Sequence, residues 1–575
     1  FRSASQPMVE KNASIPRRQN SMTITSQLTP QRQQSMCQSG IWKNKLLTDY
    51  LDDAAFKNGT SIAIVDHNSE SGLTNQITYS ELSKTSVRIS CALFALGIRA
   101  GDVVAVQLPN WWHYAAIHLA CLRIGAVINP LMPIFRQREL EFMLAFAEAK
   151  IFIVPEFFRG FEHETLALSL KEKISTLEHI FVVDGKDEDT SFEKYFTDQS
   201  WEEKSDLFES VRNSRPSPDD VIEIMYTSGT TGTPKGVMHT SNTLLSKAEL
   251  ARQLFTLKSS DTIFMGSPLA HQTGFMYAIV LSVFNASKCV LQDIWDPSQA
   301  LHVINEQGCT ITLGSTPFLS DLVVEGKEKV NATCPLRLFL CAGAPIPRVL
   351  VEQATKAYPS MYVMSAWGMT EMGIATATYP GDSDEKVIGT DGRALPFQEV
   401  RILDSADKVA PHGQEGRLQA RCVTSFVGYL KRPTEYGVDE GFWLETGDNA
   451  RMDEDGYIRI TGRSKDIIIR GGENIPVVEV EQLLYRHDAV ADVAIVGMPD
   501  ERLGERSCAF VSFTEGETLS FKGLVDYLKS CDITTQYLPE RLEIIDTFPR
   551  TMSGKIQKFR LREIAQSLTP QSNND

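Results

Sequence analysis

A run of glycine, hydroxyl and lysine residues follows an apolar segment and has the composition of a phosphate-binding loop. It reads Tyr226-Thr-Ser-Gly-Thr-Thr-Gly-Thr-Pro-Lys-Gly236 and comes directly after Val221-Ile-Glu-Ile-Met225. Glycines let the backbone turn its N–H groups towards one point, hydroxyls add short donors, and Lys235 adds a movable positive charge. Such a loop suits a polyphosphate. It is not a Walker A loop, because Pro234 precedes the lysine and Gly236 follows it.

This string resembles the phosphate loop of the acyl-adenylate-forming superfamily, which includes acyl-CoA synthetases, luciferases and the adenylation domains of peptide synthetases. Four further stretches of the chain are similar to motifs of that family and stand in the family's order between residues 226 and 555. The general similarity extends over about residues 41–565, and the resemblance to medium- and short-chain fatty acyl-CoA synthetases is the closer one. The phosphate-loop residues that it assigns to the nucleotide are Thr227, Ser228, Gly229, Thr230, Thr231, Gly232 and Lys235.

The second stretch, Ser365-Ala-Trp-Gly-Met-Thr-Glu371, is similar to an aromatic-G-x-T-E motif. The ring of Trp367 can stack on a purine, with Gly368 beside it. Thr370 offers a hydroxyl to a phosphate, and Glu371 offers a hard carboxylate oxygen to Mg²⁺, for which Thr230 is the second expected ligand. The family usually has tyrosine at the position of Trp367, so the tryptophan is a departure that keeps the stacking face.

The third stretch, Gly441-Phe-Trp-Leu-Glu-Thr-Gly-Asp448, resembles a W-x-x-T-G-D motif. A carboxylate at the end of a strand can accept hydrogen bonds from both ribose hydroxyls, which makes Asp448 the expected ribose ligand. The resemblance places Arg463 at the ribose as well, near the junction between two domains.

The fourth stretch, Arg550-Thr-Met-Ser-Gly-Lys555, matches the signature P-R-T-x-S-G-K. Adenylation brings a carboxylate against an α-phosphate, and a lysine that bridges both anions would stabilise the charge that develops in the transition state. Lys555 fits this role, since the Ser-Gly turn can present its side chain.

The fifth stretch, Arg470-Gly-Gly-Glu-Asn-Ile-Pro476, looks like the thioester-forming segment of the family. Gly471 and Gly472 would let the backbone pass close to the slim pantetheine arm of coenzyme A. Lys465 occupies the hinge position, where a backbone rotation would exchange Lys555 for this segment in one cavity.

The acid-binding region is expected around Pro268-Leu-Ala-His-Gln-Thr-Gly274, where acyl-CoA synthetases carry a histidine between the acyl and pantetheine channels. His271 is that residue. No aspartate stands in this stretch to hold an α-amino group, which disfavours an amino-acid substrate. The residues expected to line the acyl channel are neutral, which favours an acid with an apolar tail. They are Gly274, Phe275, residues 314–318, Gly343, Ala344 and Pro345. Gly343, Ala344 and Pro345 are also expected to contact the nucleotide.

One stretch departs from the family. Residues 532–540, Asp-Ile-Thr-Thr-Gln-Tyr-Leu-Pro-Glu, stand where relatives often have a lysine-rich run. The missing lysines leave open how this part of the chain contacts the phosphates of coenzyme A.

The composition limits the classes of protein to consider. The chain has 575 residues, 42% of them hydrophobic, and a net charge of −16. This charge disfavours nonspecific binding to nucleic acid or to an anionic membrane. The ten cysteines form no C-x-x-C pair, so the sequence predicts neither a zinc site nor a disulfide framework. A reducing compartment fits this cysteine usage best. Residues 274–290 are too short an apolar segment to span a bilayer, so we expect a buried helix there and no transmembrane segment.

After about residue 41, short β-branched runs such as residues 103–107 and 151–154 alternate with helical patterns such as the one from Tyr79 to Leu96. This alternation predicts an α/β fold with largely parallel sheets. We expect a large N-terminal domain of several subdomains at 41–463 and a small α+β lid domain at 464–575. The lid's expected mobility comes from the resemblance. Residues 1–40 are rich in Ser, Gln and Arg, and two interpretations stay open for them: a disordered tail or an organelle-targeting segment.

The resemblance implies an ATP-dependent acid–CoA ligase. A carboxylic acid, most simply a fatty acid, attacks the α-phosphorus of ATP to give acyl-AMP and pyrophosphate, and the thiol of coenzyme A then displaces AMP. ATP, Mg²⁺ and coenzyme A are the expected cofactors, and the acid, ATP and coenzyme A the expected partners. Two alternatives stay open: an adenylating enzyme that loads a carrier protein or another acceptor, and a catalytically silent sensor. The acid, a homodimeric state and the compartment (mitochondrial matrix, cytoplasm or peroxisome) also stay open.

Overall fold

A computed structural model gives the structure of the chain. It describes residues 24–227, 234–328, 334–343, 346–463, 468–470, 473–500, 502–531, 533, 535–551 and 554–569. Within these ranges no helix combines the length and the apolar character that crossing a bilayer requires.

The α-helices in chain order are α1 (Pro30–Gln38), α2 (Leu47–Asn58), α3 (Tyr79–Ala95), α4 (Trp112–Ile124), α5 (Gln137–Ala147), α6 (His163–Lys171), α7 (Ser205–Asn213), α8 (Ser241–Leu254), α9 (Gln272–Gly274), α10 (Leu281–Asn285), α11 (Pro297–Gln307), α12 (Thr316–Glu328), α13 (Arg348–Ala357), α14 (Asp384–Gly389), α15 (Val477–Leu484), α16 (Phe521–Ser530) and α17 (Lys558–Ala565). π-Helical turns lie at Glu193–Thr197 and Phe275–Val280, and 3₁₀ turns at Trp201–Glu203, Pro433–Glu435 and Thr535–Tyr537.

The strands are β1 (Ile62–Asn68), β2 (Leu73–Thr78), β3 (Val103–Val106), β4 (Val127–Pro130), β5 (Ala149–Pro155), β6 (Phe157–Phe158), β7 (Phe161–Glu162), β8 (His179–Val183), β9 (Val221–Thr227), β10 (Lys235–Thr240), β11 (Thr262–Met265), β12 (Lys288–Gln292), β13 (Ile311–Gly314), β14 (Leu338–Cys341), β15 (Tyr362–Met369), β16 (Gly373–Ala377), β17 (Arg393–Ala394), β18 (Gln398–Leu403), β19 (Gly416–Cys422), β20 (Leu444–Met452), β21 (Ile458–Arg463), β22 (Ile468–Arg470), β23 (Glu473–Ile475), β24 (Val490–Asp500), β25 (Gly504–Phe513) and β26 (Arg541–Ile544).

Two large sheets form the body of the protein. One has nine strands in the order β17-β16-β15-β14-β13-β11-β12-β1-β2, and the other six in the order β10-β9-β4-β3-β5-β8. Most interior pairs are parallel, for example β13 with β14 and β3 with β5, whereas β15 pairs with β16 antiparallel. All four residues of β3 and of β13 are buried, as parallel strands covered on both faces require. The predicted α/β class with largely parallel sheets is confirmed.

Two smaller sheets follow along the chain. Strands β18, β19, β20 and β21 form an antiparallel sheet. After β21 a separate sheet contains β22 to β26, with helices α15 and α16 packed through its apolar cluster around Val480, Ile495 and Leu524. The predicted small α+β domain is therefore present. The expected boundary at 463/464 adjoins residues 464–467, which lie outside the described ranges.

Local sequence signals explain several element bounds. The helix expected from Tyr79 to Leu96 is α3, and it begins at a capping box in which Thr78 and Glu81 bond each other's backbone N–H groups. The buried helix expected over 274–290 is shorter and irregular. A π-helical turn at Phe275–Val280 precedes α10, which ends at Asn285. Ala286 follows with a φ of 52°, and residue 288 already belongs to β12. The polar residues Asn285, Ser287 and Lys288 mark this end.

The described part of the N-terminal segment packs on the body. Arg32 of α1 is 3% exposed, and its guanidinium donates to the carbonyl oxygens of Phe426, at 2.9 Å, and Ser425, at 2.5 Å. The backbone N–H of Gln27 donates to the carbonyl of Val427 at 2.6 Å. A disordered tail therefore does not describe residues 24–40, and the folded domain begins before residue 41.

Candidate active site

The phosphate-loop motif connects two antiparallel strands. Strand β9 ends at Thr227 and β10 begins at Lys235, and these two residues face each other across the ladder. All five residues of Val221-Ile-Glu-Ile-Met225 are buried, which anchors the hairpin in the six-stranded sheet. The ends of the loop are thus fixed, while the expected phosphate ligands Ser228, Gly229, Thr230, Thr231 and Gly232 lie outside the described residues.

Lys235 projects between an acidic and an aromatic side chain. Its Nζ lies 2.7 Å from Oε2 of Glu435 and 4.8 Å from the centre of the Tyr429 ring. Lys235 lowers the pKa of the Glu435 carboxyl by hydrogen bonding and by charge. The lysine is therefore held by an anion and a π face.

Glu371 is buried, 6% exposed, and its carboxylate is oriented by a residue from another element. The hydroxyl of Tyr429 donates to Oε1 of Glu371 at 2.7 Å. The backbone N–H of Phe426 donates to the carbonyl of Glu371 at 2.6 Å. Tyr429 thus contacts two expected site residues: its hydroxyl bonds the carboxylate of Glu371, and its ring lies beneath Lys235.

A buried polar cluster supports the adjacent Thr370. The carbonyl oxygen of Thr370 accepts from Nζ of Lys247 at 3.2 Å and lies 2.9 Å from Nε2 of His239. His239 pairs with Glu223 across the β9–β10 ladder. Burial lowers the pKa of Lys247 to about 7, while the carboxylates of Glu223 and Glu371 act in the opposite direction. The Thr370–Glu371 turn therefore rests on the buried Lys247–His239 pair.

Trp367 and Asp448 are in direct contact. Nε1 of the indole donates to Oδ2 of Asp448 at 2.9 Å, and both residues are buried. Asp448 on β20 pairs with Arg463 on β21, so the backbones of the two expected ribose residues lie opposite each other on adjacent strands. Gly368 is required here, since a Cβ would lie 2.1 Å from the carbonyl oxygen of Gly373 on β16.

The turn that carries Lys555 reaches from the small domain to the large one. The backbone N–H of Lys555 donates to Oγ1 of Thr551 at 3.0 Å, which closes the turn. A Cβ added to Gly343, whose φ is +86°, would lie 3.6 Å from Cε of Lys555, and one added to Gly554 would lie 2.9 Å from Oγ of Ser315. Lys555 therefore lies against the end of β14 and the start of α12.

His271 stands close enough to Lys555 for its charge to act on the imidazole. Burial, and secondly this positive charge, lower the pKa of His271 to about 3, so the ring is neutral at physiological pH. Its Nδ1 accepts from the backbone N–H of Thr273 at 3.2 Å and caps α9. The predicted His271 and Lys555 are thus brought together from residues far apart in the chain.

Several predicted site residues lie outside the described residues, and their roles stay predictions. Besides the loop residues given above they are Ala344, Pro345, Lys465, Gly471 and Gly472. Within the described ranges, no cluster of three or more His, Cys, Asp or Glu side chains is arranged to bind a metal. Any Mg²⁺ would therefore need further oxygen ligands, for which nucleotide phosphates are suited.

Sequence reasoning missed the residues that support the site. Tyr429, Glu435, Lys247 and His239 contact the motif residues but belong to no motif recognised in the sequence. Tyr429 is separated from Glu371 by 58 positions. A single sequence carries no signal for such a pairing.

Comparisons with known proteins agree on the family. The family model described as AMP-binding enzyme matches residues 51–430, and the model of the AMP-binding enzyme C-terminal domain matches residues 479–555. The medium-chain fatty-acid–CoA ligase of Escherichia coli is 36% identical over 549 residues, covering 95% of each chain. The 2,3-dihydroxybenzoate-AMP ligase of Bacillus subtilis is 30% identical over 91% of this chain and 94% of the relative.

A solved structure extends this similarity to three dimensions. ATP-bound MatB from Rhodopseudomonas palustris is 25% identical and superposes with a TM-score of 0.79, covering 91% of this chain and 99% of that one. The family models match both parts of the chain, at residues 51–430 and 479–555. The chain therefore belongs to the AMP-binding enzyme family.

Proposed function

We propose that the chain is an AMP-forming acid–CoA ligase that activates a medium-chain fatty acid. The observation that carries this proposal is the position of Lys555, beside Gly343 and within electrostatic reach of His271. A mobile ammonium at this point suits the approach of a carboxylate to an α-phosphate, because it neutralises both anions as they meet. Residues 464–575 are proposed to act as the lid that delivers it.

The nucleotide would lie between the large domain and the small one. The face of Trp367 is proposed to stack on adenine and the carboxylate of Asp448 to accept from the ribose hydroxyls. Lys235 and the loop after Thr227 would bind the β- and γ-phosphates, and Lys235 would leave Glu435 to do so. Thr370 would donate its hydroxyl to the α-phosphate.

Glu371 supplies a buried carboxylate suited to a divalent cation. Its Oε1 accepts from Tyr429, so the group has a fixed orientation. Mg²⁺ bound there would neutralise phosphate charge, with Glu371 and Thr230 as the proposed protein ligands.

The proposed acid is one with an apolar tail. The residues that follow His271 in the chain include Phe275, Met276 and Ala278, which are buried and uncharged. The E. coli relative, similar over nearly its whole length, is named as a medium-chain fatty-acid ligase. A neutral His271 between acyl and thiol would add no charge to repel or bind the acid.

The second half-reaction uses the same cavity. After acyl-AMP forms, the lid is proposed to turn about Lys465, which removes Lys555 and brings in the backbone at Gly471 and Gly472. The thiol of coenzyme A then attacks the acyl carbon and AMP leaves. No covalent bond to the protein forms, so positioning and electrostatics carry the catalysis.

The test is pyrophosphate release from ATP and Mg²⁺ across straight-chain acids from C2 to C16, and with salicylate and 2,3-dihydroxybenzoate, with and without coenzyme A. We expect release that peaks between about C6 and C12 and acyl-CoA whenever coenzyme A is present. A maximum with the aromatic acids would overturn the proposed substrate. Pyrophosphate release without thioester formation would instead favour an enzyme that loads another acceptor.

A further inference from the structure

A single glutamine side chain bridges the large domain and the small domain. Gln482 lies on α15, and its Oε1 accepts from the backbone N–H of Arg348 at 3.2 Å. Its Nε2 donates to the carbonyl oxygen of Ile346 at 3.0 Å. The amide therefore uses a donor and an acceptor at the same time, across separations of 136 and 134 positions in the chain.

The backbone that receives Gln482 is firmly held. Ile346 is 3% exposed and packs in the apolar cluster beneath α13, and Arg348 is 7% exposed. The guanidinium of Arg348 donates to the carbonyl of Thr390 at 2.9 Å and lies 3.5 Å from Oδ2 of Asp391. Because both partners are backbone groups of one buried segment, the two bonds fix the orientation of α15 as well as its distance from that segment.

The bridge adjoins the segment that Lys555 touches. Gly343 shortly precedes Ile346 in the chain, and Lys555 lies against Gly343. Charges also act across the boundary between the two domains, Glu479 on the pKa of Arg459 and Arg550 on the pKa of Asp321. Charges at a partly exposed boundary are screened by solvent and define geometry poorly, whereas an amide with two partners is directional.

We infer that Gln482 is a positioning residue that specifies the adenylating orientation of the lid. The inference rests on the proposed function, in which the lid alternates between two orientations. When the lid turns, the amide must leave both backbone groups, since they belong to the other domain. The two hydrogen bonds therefore favour only the orientation that presents Lys555.

The size of the effect follows from ordinary hydrogen-bond energies. Two neutral hydrogen bonds change a two-state population by roughly tenfold or somewhat more. Replacing Gln482 with leucine removes both bonds at nearly constant volume. We expect acyl-AMP formation to fall about tenfold, while thioester formation from purified acyl-AMP and coenzyme A stays unchanged or becomes faster.

The experiment measures the half-reactions separately in Gln482→Leu, with Gln566→Leu as the matched control. Gln566 lies exposed at the end of α17 in the same domain, so its replacement should alter neither half-reaction. Gln482→Asn, which is one methylene too short to reach both backbone groups, serves as the second variant if Gln482→Leu fails to fold. Equal losses in both half-reactions, or no loss in either, would overturn the inference.

Hydrogen exchange gives a readout that does not depend on catalysis. The Arg348 amide begins α13, where no helical partner is available, so Gln482 is its acceptor. We expect the peptide spanning residues 346–352 to exchange faster in Gln482→Leu, while a peptide over β13 keeps its protection. If the wild type released no pyrophosphate, the proposed function would fail, whereas unchanged exchange in the variant would refute the bridge itself.

Discussion

The indole Nε1 of Trp367 donates a hydrogen bond of 2.9 Å to Oδ2 of Asp448. Both side chains are buried, at 8% and 5% exposure, in the region where the large domain's nine-stranded sheet meets the four-stranded sheet. A phenol at position 367 would carry its polar atom elsewhere on the ring, so this bond depends on the tryptophan. Trp367 therefore orients the carboxylate proposed to bind ribose as well as offering a stacking face.

Replacing Trp367 with phenylalanine keeps an aromatic face and removes the donor to Asp448. A hydrogen bond to a charged acceptor contributes about 2 kcal/mol, so we expect kcat/KM for ATP to fall ten- to thirtyfold. The loss should be smaller for 2′-deoxy-ATP, because part of the ribose contact is already missing. Steady-state kinetics with the two nucleotides measure this difference.

Trp443→Phe is the matched control for that experiment. The Trp443 ring stacks with the guanidinium groups of Arg401 and Arg421 and makes no described contact with Asp448. Its replacement should leave the ratio of the two nucleotides unchanged. An equal loss for ATP and 2′-deoxy-ATP in Trp367→Phe would show that the indole acts through stacking alone.

Tyr429→Phe removes the hydroxyl that holds Oε1 of Glu371. The carboxylate then loses a fixed orientation without losing its charge, and we expect the Mg²⁺ concentration for half-maximal activity to rise several-fold. Titrating Mg²⁺ at saturating ATP measures this shift. Tyr436→Phe is a suitable control, because that hydroxyl bonds Arg32 and the carbonyl of Phe426 instead. A fall in kcat with an unchanged Mg²⁺ requirement would contradict the assigned role of Tyr429.

Lys555→Ala should separate the two half-reactions. Removing a charge that bridges two anions in the transition state should lower acyl-AMP formation at least a hundredfold. Thioester formation from preformed acyl-AMP should change little, since Lys555 is proposed to be absent from the cavity in that step. Lys558→Ala, which breaks an ion pair with Glu481 inside the small domain, controls for the loss of a neighbouring charge. Equal losses in both steps would refute the role of Lys555.

Buried neutral histidines predict acid sensitivity. Burial lowers the pKa of His118 to about 3, and neither ring nitrogen has a hydrogen-bond partner among the described residues. The unfolded state binds a proton near pH 6.5 and the folded state does not, so stability falls as pH drops below 6.5. This linkage amounts to about 2 kcal/mol at pH 5 for one such group.

His118→Leu should therefore flatten the dependence of the melting temperature on pH between 6.5 and 4. His302, which is exposed, is the control position, and His302→Leu should leave the slope as it is in the wild type. Parallel pH profiles for His118→Leu and wild type would mean that His118 is protonated in the folded protein.

The sequence predicted the fold class because it depends on local patterns. The β-branched runs at 103–107 and 151–154 correspond to β3 and β5, and the loop rich in glycine and hydroxyl residues connects β9 with β10. Its phosphate-binding role stays a prediction. The supports of the site could not be predicted. Tyr429 meets Glu371, and Gln482 meets Ile346, only through the packing of elements far apart in the chain. The packing of residues 24–40 could not be predicted either, because one buried arginine anchors a segment whose composition is that of a tail.

The central claim is that the acid's carboxylate attacks the α-phosphorus of ATP. The direct measurement uses octanoate labelled with ¹⁸O in both carboxylate oxygens, together with ATP, Mg²⁺ and coenzyme A, and determines the products by mass spectrometry. We predict octanoyl-CoA, unlabelled pyrophosphate and AMP with one ¹⁸O in its phosphate, in equal amounts. Formation of ADP, or AMP without the label, would contradict the acyl-adenylate mechanism.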